Sequence, residues 1–270
     1  MKAIVKYPGS KWSIADWIIS FFSEHHSYLE PFFGSGAVLF NKPRSHIETV
    51  NDLDGNVVNL FECIRSDPER LARSIYMTPY SRKVYEKAFR ETPEDPFEKA
   101  LNFYIRLNMG HGFRTNGEKV GWKNDVQGRE RSYASQDWCK LPEKILLAAE
   151  RLRGVQIECM QAIDLMKRFN NEKVLIYLDP PYMPGVRHGK QYRHEMYNEK
   201  SHAQLLDTAL NHKGYVIISG YETDLYNNML SGWHKECTTC YSQTCSKKKE
   251  VLWMNYDPPV KQMSLEDYRD

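Results

Sequence analysis

The chain has 270 residues, 41% hydrophobic and 27% charged, with 37 basic against 35 acidic side chains and a net charge of +2. Those proportions exclude wholesale disorder, and a chain of this length buries a core without disulfides or a structural metal. The near-neutral total excludes a polycation, so any contact with nucleic acid has to use a local basic patch.

At the N-terminus, Met1 to Lys6 lacks an apolar stretch of secretory length, and no run of about 18 apolar residues follows. The expectation is a cytoplasmic protein without a membrane partner. Trp12 to Phe22 carries apolar residues at Trp12, Ile14, Ala15, Ile18, Ile19 and Phe22, which is helical spacing. Tyr28 to Phe32 reads as a short strand ending in the turn Gly34-Ser35-Gly36. Ile47 to Asn51 is a second strand, followed by a helix through Val57, Leu60, Phe61 and Ile64. Helical patterns then recur at Lys83 to Arg90, Phe97 to Leu107 and Pro142 to Leu152, while Met109 to Asp137 reads as a basic loop.

Alternation resumes with a strand at Val155 to Cys159 and a helix at Ile163 to Phe169. Val174 to Leu178 is an unbroken apolar run suited to a buried parallel strand. Ser201 is placed to cap a helix to His212, and Tyr215 to Ser219 is another strand. Trp233 to Tyr241 and Glu250 to Asn255 fit a closing antiparallel pair. Strands alternating with helices at both ends predict an α/β fold. Residues 1–66 and 153–270 form the sheet-bearing domain, and residues 67–152 a mainly helical insert.

Six cysteines occur. Cys63, Cys139 and Cys159 are scattered and read as reduced thiols. His234, Cys237, Cys240 and Cys245 lack the second ligand pair and intervening loop of a zinc ribbon, so no metal is expected.

Three features fall where strands end, the place where open α/β sheets bind ligands. Glycines in Glu30-Pro31-Phe32-Phe33-Gly34-Ser35-Gly36 let a ligand approach the backbone, although such turns are also commonly structural. Asp52, in Asn51-Asp52-Leu53-Asp54, stands where an acid accepts ribose hydroxyls; equally, Asp52 or Asp54 could cap a helix. No third glycine follows Gly36, which disfavours a nicotinamide cofactor. Asp179-Pro180-Pro181-Tyr182 follows the buried strand directly. Two prolines hold that segment extended and rigid. A carboxylate, a carbonyl and an aromatic ring then share one cleft, which matches a planar heterocycle with an exocyclic amine.

With these residues in place, the chain resembles the Dam-type DNA adenine methyltransferases, the alpha class with a D-P-P-Y motif. Lys6-Tyr7-Pro8-Gly9-Ser10-Lys11 is similar to the family's K-W-x-G-G-K element, with Tyr for Trp and Ser for the second Gly. Glu30 to Gly36 matches E-P-F-x-G-x-G, Asp179 to Tyr182 is D-P-P-Y, and Lys248 to Leu252 resembles the C-terminal strand region. The resemblance implies a Rossmann-like methyltransferase sheet, mostly parallel with an antiparallel closing strand. It implies S-adenosylmethionine as cofactor, no metal, and double-stranded DNA as substrate. Tyr7, Lys11, Phe32, Gly34, Gly36, Asp52, Asp164 and Asp179 would contact the cofactor. Asp179, Pro180 and Tyr182 would be catalytic: the first two accept hydrogen bonds from the adenine amine, and Tyr182 stacks on the flipped base.

The basic middle segment would read the target. Arg suits guanine edges and Asn or Gln suits adenine, and the candidates for DNA contact are Arg114, Lys119, Lys123, Arg129 and Arg131. Tyr192 and Tyr197, just after D-P-P-Y, would join them. The family habit points to GATC. Further expectations are a monomer or weak dimer, from a bacterium or a phage within one. Two alternatives stay open: amino-methylation of cytosine, where S-P-P-Y is commoner, and an inactive DNA-binding relative, against which Asp52, Asp179 and Tyr182 argue.

Overall fold

The computed structural model describes residues 3–124, 133–183, 192–194, 196, 198–241 and 247–259, with backbone alone at 113, 240, 241, 247 and 248. Its strands are β1 (Ser27–Glu30), β2 (Ile47–Asn51), β3 (Val155–Glu158), β4 (Val174–Leu178), β5 (Tyr215–Gly220), β6 (His234–Tyr241) and β7 (Lys247–Met254). They form one sheet in the order β3-β2-β1-β4-β5-β7-β6. Pairing is parallel from β3 to β5, and β7 enters antiparallel to both β5 and β6. The expected mostly parallel sheet with a closing antiparallel pair is therefore present. Strand order reverses between β1 and β4, so the segments leaving their carboxyl ends part and open a crevice there.

β4 shows how sequence pattern becomes layers. All five of its residues are buried. Leu175 and Tyr177 face one apolar cluster, while Val174, Ile176 and Leu178 face the other. Side-chain alternation splits a continuous apolar run between two covered faces.

The helices are α1 (Ala15–Ile19), α2 (Ala37–Asn41), α3 (Gly55–Ser66), α4 (Pro68–Met77), α5 (Arg82–Arg90), α6 (Pro96–Met109), α7 (Ala134–Cys139), α8 (Leu141–Arg151), α9 (Ala162–Arg168), α10 (Glu199–Leu210) and α11 (Asp224–Met229). Carboxylates begin three of them: Asp54, Asp67 and Asp95 each accept a backbone amide at the start of α3, α4 and α6. Proline occupies the first turn of α4 and α6, where its missing N–H is not needed. The helix expected over 12–22 shortens to α1, which starts without a side-chain cap. For α10 the cap is Asn198, whose Oδ1 accepts from the Ser201 amide, so Ser201 lies inside the helix rather than at its start. The sequence pattern predicts no helix at α2, α4, α7 or α11.

The helical region does not form a core of its own. Leu71, Ile75, Phe97, Tyr104, Trp138 and Ile145 belong to the same buried cluster as Phe33, Val50 and Leu175 from the sheet side. At its edge the α8 residue Arg151 grips Glu48 of β2 with both guanidinium nitrogens, at 2.6 and 2.8 Å.

Candidate active site

A cavity of about 540 Å³ opens at the carboxyl ends of the parallel strands. This size suits a cofactor-sized ligand. The segment before α1 forms one wall through Tyr7, Gly9, Ser10 and Lys11. Gly34 has φ of 48°, and a Cβ there would lie 3.0 Å from the Tyr7 ring, so only glycine lets the turn meet that ring. Gly36 does not line the cavity. Its φ of 68° ends the turn and starts α2. Ser10, where the family element has glycine, bonds Ser35 of the turn at 2.9 Å.

Asn51, at the end of β2, fastens three loops together. Its Nδ2 donates to the carbonyls of Pro31 at 2.9 Å and Met160 at 3.0 Å, and its Oδ1 accepts from the Met160 amide. The two acids that follow divide the roles left open above. Asp54 caps α3 through Oδ1. Asp52 lines the cavity, accepts the Gly34 amide at 2.9 Å and the Asp54 amide at 2.9 Å, and so shapes the turn. Burial pushes the Asp52 carboxyl up to about 6 against those amide bonds. Glu30 behaves similarly at the end of β1. Burial raises it to about 8 although the Tyr28 hydroxyl donates to it at 2.8 Å.

Asp179 lies one residue beyond β4, in the cavity wall. The Lys11 ammonium reaches both of its oxygens, at 2.8 and 2.9 Å, and donates to the Gly9 carbonyl at 2.8 Å. Ser219 donates to Asp179 Oδ1 at 3.0 Å. Burial alone would lower the Lys11 pKa, but the carboxylates of Asp179 and Glu250 outweigh it and hold Lys11 well above the usual lysine range. The Lys11 ammonium also stands 4.9 Å from the centre of the Tyr182 ring, and the Tyr182 hydroxyl bonds Glu250. Tyr182 meets Tyr221 edge-on at 4.6 Å. A carboxylate in the cavity wall is thus fixed from two sides, with the Tyr182 ring on the same ammonium, and it is able to accept hydrogen bonds from an amine on a flat ring.

The candidates from the sequence separate into groups. Tyr7, Lys11, Phe32, Gly34, Asp52 and Asp179 all line the cavity, whereas Asp164 is exposed on α9 and its neighbours Gln161 and Ile163 line it instead. Pro180 is buried and, like Tyr182, is not among the residues that line the cavity. Tyr192 is a wall residue too: its hydroxyl bonds the Pro8 carbonyl at 3.1 Å, and its ring lies 5.9 Å from that of Tyr7. Arg114 is exposed and paired with Glu118, and Lys119 lies 4.0 Å from Glu86. Lys123 is bound into the loop through its backbone, its carbonyl accepting from Tyr80 at 2.6 Å. Arg129, Arg131 and Tyr197 lie outside the described residues, as do Cys245 and the side chain of Cys240. Three residues apart on β6, His234 and Cys237 point to opposite faces.

Sequence reading missed Asn51, Ser219, Glu30 and Glu250 as parts of the site. Ser219 had a signal: β4 and β5 run parallel with Leu178 beside Ile218, which sets Ser219 next to Asp179. Glu250 had one as well, an acid opening an otherwise apolar strand segment. The cavity also fits a ligand rich in hydroxyl or amine donors. Asp54 Oδ2 is buried without a hydrogen-bond partner among the described residues, and Asp54 is a wall residue.

Residues 7–243 match the family model of the D12 class N6 adenine-specific DNA methyltransferases. The chain is 25% identical over 237 residues to a DNA adenine methylase of Salmonella typhi, covering 83% of this chain and 82% of that one. It is 25% identical over 191 residues to the DNA adenine methylase of Escherichia coli K12, covering 68% and 66% respectively. A solved SAM-dependent methyltransferase from Agrobacterium tumefaciens aligns over 91% of this chain and 61% of its own. Its 10% identity and TM-score of 0.36 carry no weight here. The family match spans nearly the whole sheet and the D-P-P-Y segment. The chain belongs to the D12 class of N6 adenine-specific DNA methyltransferases.

Proposed function

We propose that this DNA adenine methyltransferase uses S-adenosylmethionine and acts on an adenine flipped out of duplex DNA. The carrying observation is Asp179, held by Lys11 and Ser219 in the wall of the cavity, with the Tyr182 ring beside it. Tyr7, Lys11, Phe32, Gly34, Asp52 and Asp54 would hold the cofactor. When bound, it supplies a methyl group activated by a sulfonium leaving group.

The chain's own residues then deal with a poor nucleophile. An adenine amine has its lone pair delocalised into the ring. Hydrogen bonds accepted by Asp179 and the Pro180 carbonyl draw the nitrogen toward tetrahedral geometry and localise that pair. Because Lys11 and Ser219 already fix the carboxylate, it needs no reorganisation at the moment of reaction. The methylated amine, acidic while cationic, gives its proton to Asp179 or to water. A base stacked in a duplex cannot reach the cleft, so it leaves the stack and Tyr182 receives it.

The helical insert, 67–152, supplies target recognition in this reading, with Arg114 and Lys119 exposed on its loop. To read a guanine edge Arg114 exchanges its Glu118 partner for the base. The enzyme would act as a monomer or weak dimer in the cytoplasm of a bacterium, as a protein of the cell or of a phage within it, and GATC is the first target to test.

Expression in a methylation-free host, followed by single-molecule sequencing, should show N6-methyladenine at one recurring site. Asp179→Ala should lower turnover by at least about 10²–10³-fold while the protein stays folded. Modified cytosine, or near-normal turnover in that variant, would overturn the reading.

A further inference from the structure

Glu250 is nearly sealed from solvent, its side chain 3% exposed. It sits on β7 opposite Thr238, one residue before the stretch where β7 pairs with β5. Burying a carboxylate is costly, and the following residues Val251, Leu252, Trp253 and Met254 are apolar and buried. A position with only a packing task is served as well by an apolar side chain, since replacing buried ionic groups with packed hydrophobic ones is often neutral or stabilising. What Glu250 touches belongs to the site. Its Oε1 accepts from the Tyr182 hydroxyl and lies 3.6 Å from the Lys11 ammonium. Lys11 in turn bridges both oxygens of Asp179.

We propose that Glu250 is a positioning residue for methyl transfer: by holding the Tyr182 hydroxyl it fixes where the ring that receives the target base lies. Among the described residues, Glu250 at its hydroxyl, Lys11 over its face and Tyr221 at its edge constrain the Tyr182 ring. Of these the Glu250 bond holds the far end of the ring: the hydroxyl lies on the ring axis, so its bond stops the ring swinging about Cα–Cβ, while the cation over the face and the edge contact set the ring's plane. The proposal rests on the reading of Tyr182 as the surface that stacks on the flipped base.

The test compares wild type, Glu250→Gln, Tyr182→Phe, the double variant and Tyr182→Ala in the full chain. Four readouts are needed: thermal midpoint, cofactor binding without DNA, kcat against KM for DNA, and emission of 2-aminopurine at the target base. Glu250→Gln should keep the melting midpoint and cofactor isotherm, lower kcat by about tenfold with little change in KM, and reduce the 2-aminopurine response. Tyr182→Phe, which removes the same bond from the other side, should reproduce the loss of response. The two changes together should cost little more than either alone, because they break one interaction. Additive losses, or a wild-type response in Tyr182→Phe, would overturn the proposal. If Tyr182→Ala is inactive while both bond-breaking variants behave as wild type, only the role of Glu250 falls. If Tyr182→Ala retains turnover and response, the stacking reading falls with it.

Discussion

Glu30 and Asp52 are both carboxyls on the cavity wall, and they titrate differently because different donors reach them. Asp52 accepts two backbone amides, so burial carries it only to about 6. For Glu30 burial dominates, with nearby Asp179 adding to it and one tyrosine hydroxyl opposing it, and it rises to about 8. A raised acid means the folded state binds a proton that the unfolded state releases. Its effect is absent below the ordinary value of 4.5, and stability falls as the pH climbs from there to about 8. Glu30→Gln keeps an acceptor for Tyr28 and carries no charge. It should match wild type near pH 4 and exceed it at pH 8.5 by on the order of a few kcal/mol, measured by thermal unfolding across pH. A variant whose melting temperature follows the wild-type pH curve would show that Glu30 ionises freely in the fold.

At the scale of elements, β2 and α8 are joined by one carboxylate. Glu48 accepts from Lys42 at 2.6 Å and from both nitrogens of Arg151, and all three side chains are largely buried. Burial would raise Glu48, but the hydrogen bonds from Arg151 and Lys42 outweigh it and hold the carboxyl below its ordinary value. Its stabilisation is therefore present at neutral pH and is lost as the pH falls through that lowered value. Glu48→Ala leaves two buried cations and should cost about 3–5 kcal/mol in urea unfolding. Glu150→Ala, at the exposed pair with Arg153, should stay within about 0.5 kcal/mol. Equal effects would mean that Glu48 is solvated. Nothing in Ile47-Glu48-Thr49-Val50-Asn51 shows this arrangement. Alternation puts Glu48 on the same face as Val50, and its partners come from residues 42 and 151, far apart in the chain.

For the whole molecule, the buried cluster that runs from the sheet into the helical region has a thermodynamic consequence. Sheet and insert should unfold together, so that urea curves followed by tryptophan fluorescence and by far-ultraviolet circular dichroism coincide. Trp122 and Trp138 report on the insert and Trp253 on the sheet. Deleting 67–152 should leave a chain that does not fold, because α3 would lose α6 and α8, which pack against it. Two separated transitions, or a soluble and cooperative deletion variant, would show that each part has a sufficient core.

Local chemistry determined much of this protein. Val174 to Leu178 suited a buried strand, two glycines marked the turn after β1, and two prolines after Asp179 made a rigid strand exit, all of which neighbouring residues show. The same holds for the order of strands and helices, and so for the position of the cleft at their carboxyl ends. Partner choice was different. That Asp52 reaches the Gly34 amide, that Lys11 meets Asp179 across 168 residues, and that Glu250 takes the Tyr182 hydroxyl depended on how the strands are ordered in space. A side chain's own sequence neighbours set its backbone, but its charge is balanced by whichever groups the fold brings within a few ångströms, and only tertiary structure decides which groups those are.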